Sequence, residues 1–232
     1  MTNLILLLQD TIPAATEVQA KTATATAESV NYFSLLMKGG VMVIPILVLL
    51  FFTIYIIVER ALYINKRTKE DVNLMNDVRY QLSSGKIEGA QLAAGKAGTA
   101  YGTIIESGIG LIGRPMGEIE GMMEKTTNVE IGLMERKLGW LGLVAGIAPI
   151  LGFIGTIAGV ITIFYDISIK KEITIDTISA GLYEKMISSG LGLIVGVIAY
   201  SAYHFFNMMI DHFTLKVQKQ VIQFVNVITT GK

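Results

Sequence analysis

Two stretches of this chain set oxygen-bearing side chains among residues that are otherwise almost pure hydrocarbon. In GLYEKMISSGLGLIVG the carboxylate of Glu184 is followed one helical turn later by the hydroxyl of Ser188, with Ser189 beside it. In IAPILGFIGTIAGVITIF one hydroxyl, that of Thr156, stands between Gly155 and Gly159. A carboxylate at the centre of a membrane helix costs about 2.5–3.5 kcal/mol, and less near its end, so it should face a polar cavity or a partner. The chemistry that suits such groups is the uptake and release of a proton or small cation. Each also has a plainer reading. Glu184 and Lys185 can mark a solvated membrane boundary, and an isolated membrane threonine commonly bonds its own preceding carbonyl.

Residues of this kind need membrane helices to hold them, and the composition supplies them. The chain has 232 residues, is 52% apolar and 16% charged, and has a mean hydropathy of +0.56, too apolar for an ordinary soluble domain. Gly39–Val58, Leu138–Tyr165 and Met186–Ile210 carry no charge over 20, 28 and 25 residues. At 1.5 Å per residue each is long enough to cross a hydrocarbon core of about 30 Å. The second run exceeds that need, which predicts a helix protruding into water at one end.

Basic residues set the orientation. Lys21 and Lys38 are the only ones before the first run, whereas Arg60, Lys66, Arg67 and Lys69 follow it directly and Arg136 and Lys137 precede the second. The long loop is therefore expected in the cytoplasm, with the N-terminus outside and the C-terminus inside. The resulting layout is an outer arm over 1–38, a span over 39–58 and a cytoplasmic helical domain over 59–137. A second span follows over 138–165, then an outer connection and the start of the third helix over 166–185. The third span covers 186–210 and a cytoplasmic tail 211–232.

The loop holds acidic and basic residues in equal number, with apolar positions at helical spacing such as Val72, Met75, Val78 and Leu82. Ser83-Ser84-Gly85 and Gly113-Arg114-Pro115 are its expected breaks. From Met116 to Pro149 no proline intervenes, so one long helix is expected to run from this domain into the second span. Met1–Gln9 lacks a basic start, which makes a signal peptide the lesser reading. Residues 10–28, rich in Thr, Ala and Glu, read as a polar arm.

Several chemistries are disfavoured. With 19 basic and 19 acidic residues and no basic stripe, nucleic acid is not an expected partner. Zero cysteines exclude disulfides and thiol chemistry. His204 and His212 lack further ligands and read as interfacial side chains, so neither a metal nor another cofactor is expected. Gly89–Ala97, GAQLAAGKA, has five residues where a phosphate-binding loop has four, and it ends in Ala. Gly152, Gly155 and Gly159 are small-residue notches for helix packing. Pro149 removes a backbone donor and should loosen its helix.

These segments resemble one family. Ile147–Phe164 is similar to the second-helix signature of the ExbB, TolQ and MotA proteins, and Gly181–Tyr203 to their third-helix signature, in which a glutamate precedes a threonine by five residues. Pro45 in the first run and Glu59-Arg60 at its end also match. One span, a large loop and two further spans is the ExbB and TolQ arrangement, not the four-span arrangement of MotA. The likeness covers about Tyr32–Asn207 and is most specific in the last two spans.

The resemblance implies an all-α membrane protein of the bacterial inner membrane, a homopentamer around a central pore. It implies an ExbD- or TolR-like single-span partner bearing an intramembrane aspartate, and a TonB-like protein beyond it. Thr156, Glu184 and Ser189 fall on the family's pore positions, Ser189 where the family has threonine, and Ser188 is counted with them. Lys185 stands where an alanine is usual, Ile198 where a proline is, and His204 where an asparagine is. The implied function is proton conduction in an ion-driven motor that powers TonB-dependent outer-membrane transport. The alternatives are a TolQ-like role in envelope maintenance and a non-conducting membrane scaffold. An intramembrane enzyme would need paired catalytic groups, and the sequence offers one intramembrane carboxylate.

Overall fold

The computed structural model describes residues 40–71, 73–170 and 175–230, with the side chains of a few helical residues, Glu184 among them, outside the description. The expected arm over 1–38 also lies outside it. The described residues form seven helices and no strand: α1 (Val43–Arg67), α2 (Leu74–Ser83), α3 (Ile87–Lys96), α4 (Ala100–Ile109), α5 (Met116–Glu135), α6 (Leu138–Lys170) and α7 (Ile175–Thr230). Three stretches are long and apolar enough to cross a membrane: Val43–Arg67, Met116–Ile169 and Gly181–Thr229.

Local chemistry explains the breaks. α2 ends at the expected serine pair, followed by Gly85 at φ 72°, and α4 runs into a turn closed by Gly113 at φ 99° before Pro115 opens α5. Only glycine takes these angles without strain. A third break, which the sequence reading did not flag, lies at Gly98, φ 62°, where Thr99 caps α4 by accepting a hydrogen bond from the Gly102 amide at 3.3 Å.

The expected single helix from Met116 into the second span is instead two helices separated by Arg136-Lys137. The reason lies in α1. Arg60 is 4% exposed, and its Nη1 donates to the carbonyls of Leu133 and Met134, at 3.2 and 3.4 Å, in the last turn of α5. Those carbonyls belong to the set a helix end leaves without internal donors. Glu59 receives the rest of the fork, from Arg60 Nε and Nη2 at 2.6 Å each, and Lys137 Nζ lies 3.2 Å from the same carboxylate. The guanidinium also lies 4.8 Å from the centre of the Tyr63 ring. Glu59, Arg60 and Lys137 thus latch α1 to the α5–α6 joint.

α7 is longer than any segment drawn from the sequence. Its 56 residues make a rod of about 84 Å, roughly twice a bilayer's full thickness. The stretch after Ile210, expected as a tail, stays helical because no Gly or Pro interrupts it after Gly196 and because Phe213, Val217, Phe224 and Val227 bury one face. Phe213, Val217 and Phe224 share one core with Ile104, Ile105, Ile109 and Met123 of α4 and α5. Tyr101 meets Phe213 edge to face at 4.9 Å, and burial, with a smaller contribution from the Glu70 charge, pushes its phenol up to about 12. Arg67 pairs with the buried Glu130 of α5 at 2.5 Å, and Lys216 with Glu70 at 2.8 Å.

A second, smaller core joins the three apolar helices: Ile46 of α1, Val144 and Ala148 of α6, Val195 and Ala199 of α7.

Arg60→Ala should destabilise the purified chain by about 2–3 kcal/mol, because it strips two helix-end carbonyls of their donor and leaves Glu59 with Lys137 alone. Arg60→Lys should recover less than half of this, since an ammonium cannot reproduce the planar fork. Thermal unfolding in detergent reads both, and an Arg60→Ala chain as stable as the parent would refute the latch.

Candidate ion pathway between α6 and α7

α6 and α7 run antiparallel, and their backbones approach closely because small residues recur at three- and four-residue intervals on both. A Cβ built on Gly152 would sit 3.0 Å from the Ser189 Cα and 3.2 Å from the Ser188 carbonyl oxygen. One on Gly155 would lie 3.0 Å from the Ser188 Oγ and 3.2 Å from Met42 Cβ, at the start of α1. On the opposing helix, one on Gly192 would meet the Ala148 carbonyl and, at 3.1 Å, the Gly152 Cα. In lipid, where apolar surface gains little by leaving its solvent, such close approach is what holds helices together.

Pro149 lies within an unbroken α6. Its ring is received by Gly196, whose added Cβ would be 2.6 Å from the ring Cγ and 3.2 Å from the Ala145 carbonyl, the acceptor that a proline at 149 leaves without its helical donor. The expected loosening is thus absorbed by the neighbouring helix.

The polar groups lie in this contact. The single hydroxyl hydrogen of Thr156 is shared between two acceptors, the Gly152 carbonyl of its own helix at 3.2 Å and the Lys185 carbonyl of α7 at 3.3 Å. The first contact is the one expected of an isolated membrane threonine, and the second joins the two helices. Ser188 Oγ donates to the same Lys185 carbonyl at 3.0 Å. Ser188 has no exposed surface and is enclosed between the helices, whereas Thr156 and Ser189 keep part of theirs. Glu184 is on α7, one residue before the carbonyl that gathers both hydroxyls, and its side chain is outside the described residues.

Beside this cluster is a cavity of about 240 Å³ bounded by the start of α1 (Gly40–Met42), by Gly155, Gly159 and Thr162, and by Lys185 and Ser188. The lysine stem lies directly across Gly159. The sequence reading singled out neither Thr162 nor this seat of Lys185. The regular small-residue spacing of α6 is the signal that could have suggested a socket, but nothing in the sequence says which α7 side chain fills it. His204 is exposed beside Tyr200 and Tyr203, with ring centres 4.3 and 5.3 Å away. Among the described residues no group of three or more His, Asp or Glu side chains is placed to hold a metal ion.

A profile of the MotA/TolQ/ExbB proton channel family matches residues 97–219, just over half of the chain, including all of α6 and most of α7. The chain belongs to this family. Among curated proteins it is 25% identical over 187 residues to the "Putative biopolymer transport protein ExbB homolog" of Methanothermobacter thermautotrophicus, covering 78% of this chain and 66% of that protein. It is 24% identical over 163 residues to the "Putative biopolymer transport protein ExbB-like 3" of Synechocystis, covering 69% and 78%. It is 28% identical over 89 residues to the "Tol-Pal system protein TolQ" of Haemophilus influenzae, covering 38% and 39%. The chain thus spans just under two thirds of the first relative and well under half of the third. The family match covers a membrane protein of proton-channel type, and the hydroxyl cluster between α6 and α7 lies within the matched residues.

Gly192→Val and Gly196→Leu should force α6 and α7 apart, at a cost of about 1–3 kcal/mol each. Gly146 has open space around its Cα, so Gly146→Ala should be neutral or stabilise by about 0.5–1 kcal/mol. Unfolding midpoints in detergent compare the three, and equal effects at 146 and 192 would contradict this packing.

Proposed function

We propose that this chain is the ring-forming, proton-conducting subunit of an ion-driven motor in the bacterial inner membrane, with an ExbB-like role in powering TonB-dependent outer-membrane transport. The observation that carries the reading is the hydrogen bond from Thr156 across to the Lys185 carbonyl, inside a family-matched helix pair. It puts an intramembrane hydroxyl within one residue of the backbone of Glu184.

In this reading five protomers surround a pore faced by α6 and α7, with the N-terminus outside and the α2–α5 bundle in the cytoplasm. The distribution of basic residues supports that orientation. Exposed apolar residues on α6 and α7, such as Phe153, Ile157, Leu193 and Val197, leave surface for lipid and for neighbouring protomers. The pore holds the span of an ExbD- or TolR-like partner whose aspartate takes up the proton. Thr156 and Ser189 supply hydroxyls at that site, and Glu184 sets the field on its outer side. Ser188 belongs to the helix contact and fixes the shape of the pathway from behind.

A charge crossing the membrane potential gains about 2.3 kcal/mol per 100 mV. Protonating the partner's aspartate removes the cost of a buried anion and frees its helix to turn towards the next protomer. No bond is made or broken in this chain.

The match to a Tol-Pal protein favours a second reading, a TolQ-like role in envelope maintenance. Loss of nutrient uptake with an intact envelope on deletion supports the first reading, and detergent sensitivity with normal uptake supports the second.

Thr156→Val and Glu184→Gln should each leave assembly intact, by native mass spectrometry, and lower proton flux into proteoliposomes holding chain and partner by about a hundredfold. Full flux in both variants would refute the roles given to Thr156 and Glu184, and a parent complex with no flux would leave only a non-conducting scaffold.

A further inference from the structure

The contact between α6 and α7 is built mostly from small residues on both sides, and such surfaces can slide along one another without steric penalty. Register has to come from the few places where a bulky group sits in a notch. At Gly196 and Gly181 the bulk comes from α6, as the Pro149 ring and the Ile163 side chain. At Gly159 it comes from α7: a Cβ there would fall on the Cγ, Cδ and Cε of Lys185. The same residue holds the site together from its other end, since its carbonyl accepts both Thr156 and Ser188. Gly159 lies three residues, less than one turn, beyond Thr156.

We propose that Lys185 is a positioning residue, a register lock whose stem, seated on Gly159, keeps its own carbonyl under the Thr156 hydroxyl. A slip of one residue moves the acceptor by about 1.5 Å along the axis, which takes a 3.3 Å hydrogen bond out of reach. Glycine at 159 and lysine at 185 form a matched pair, the one leaving the space that the other's stem fills. The bulk of the stem does the positioning.

The consequence of this lock for proton flow rests on the function proposed above, so the test has two readouts, unfolding of the purified chain and proton flux with the partner. Gly159→Ala should lower the unfolding midpoint and cut flux by about tenfold or more. Adding Lys185→Ala should restore both to within about twofold, or a degree or two, of Lys185→Ala alone. Lys185→Met, which keeps the stem, should leave the loss caused by Gly159→Ala undiminished in both readouts. An inert Gly159→Ala, equal losses in the parent and Lys185→Ala backgrounds, or a Gly159→Ala loss that vanishes in Lys185→Met would each overturn the lock. A matched-pair effect on unfolding in a chain whose parent carries no proton flux would uphold the lock and sink the function instead.

Discussion

Two helices that must lie together in lipid cannot rely on hiding apolar surface, because the surrounding solvent is as apolar as they are. What remains is van der Waals contact and backbone proximity, and α6 and α7 obtain both by removing side chains where they touch. Gly152 against the backbone of Ser188 and Ser189, and Gly192 against Ala148, bring main chain onto main chain. The polar contacts between these two helices follow from this approach. Only with the backbones this near can a hydroxyl as short as that of Thr156 cross from one helix to a carbonyl of the other.

The same closeness makes the helix pair tolerant of defects that would otherwise be costly. Pro149 leaves a carbonyl without its donor, and Gly196 allows the neighbouring helix to cover ring and carbonyl together. Where side chains do intrude, they sit in glycine notches and convert a smooth contact into one with a defined register. The site is therefore not a set of residues placed on a scaffold. Its hydroxyls, its acceptor carbonyl and its packing are the same atoms seen from different sides.

Beyond the apolar stretch the rules change, and so do the contacts. The α2–α5 bundle and the far half of α7 bury a conventional core of Ile, Met and Phe, and ion pairs join distant segments. Arg67 reaches Glu130 and Lys216 reaches Glu70, while the Glu59–Arg60–Lys137 group ties α1 to the joint between α5 and α6. A charge is costly to bury singly and much less so in a pair, which is why the buried Arg60 and Glu130 each sit beside an opposite charge, whereas Lys216 and Glu70 meet at the surface. Because α7 passes through both regions without a break, movement at the α6–α7 contact has a stiff path into this bundle.

Much of this was legible in the residues alone. Three uncharged runs are long enough to cross a membrane, and no fold can hide them. Gly85, Gly113 and Pro115 end helices by backbone constraints that are local. Thr156, Glu184 and Ser189 stand out because oxygen atoms are rare in such surroundings, and the glycine spacing of α6 marks a contact face. Partners were not legible. The sequence says that Arg60 is a charge at the end of a span, but only the folded chain gives it the carbonyls of Leu133 and Met134, more than 70 residues away, and so interrupts a helix that local propensity would have continued. Ser188 and Ser189 are adjacent and chemically identical, and a rotation of about 100° per residue encloses one while leaving the other partly open. Lys185 reads as a boundary charge until Gly159 is seen beneath it. Spacing along a helix fixes which residues share a face, whereas which face meets which is set by the packing of all the helices at once.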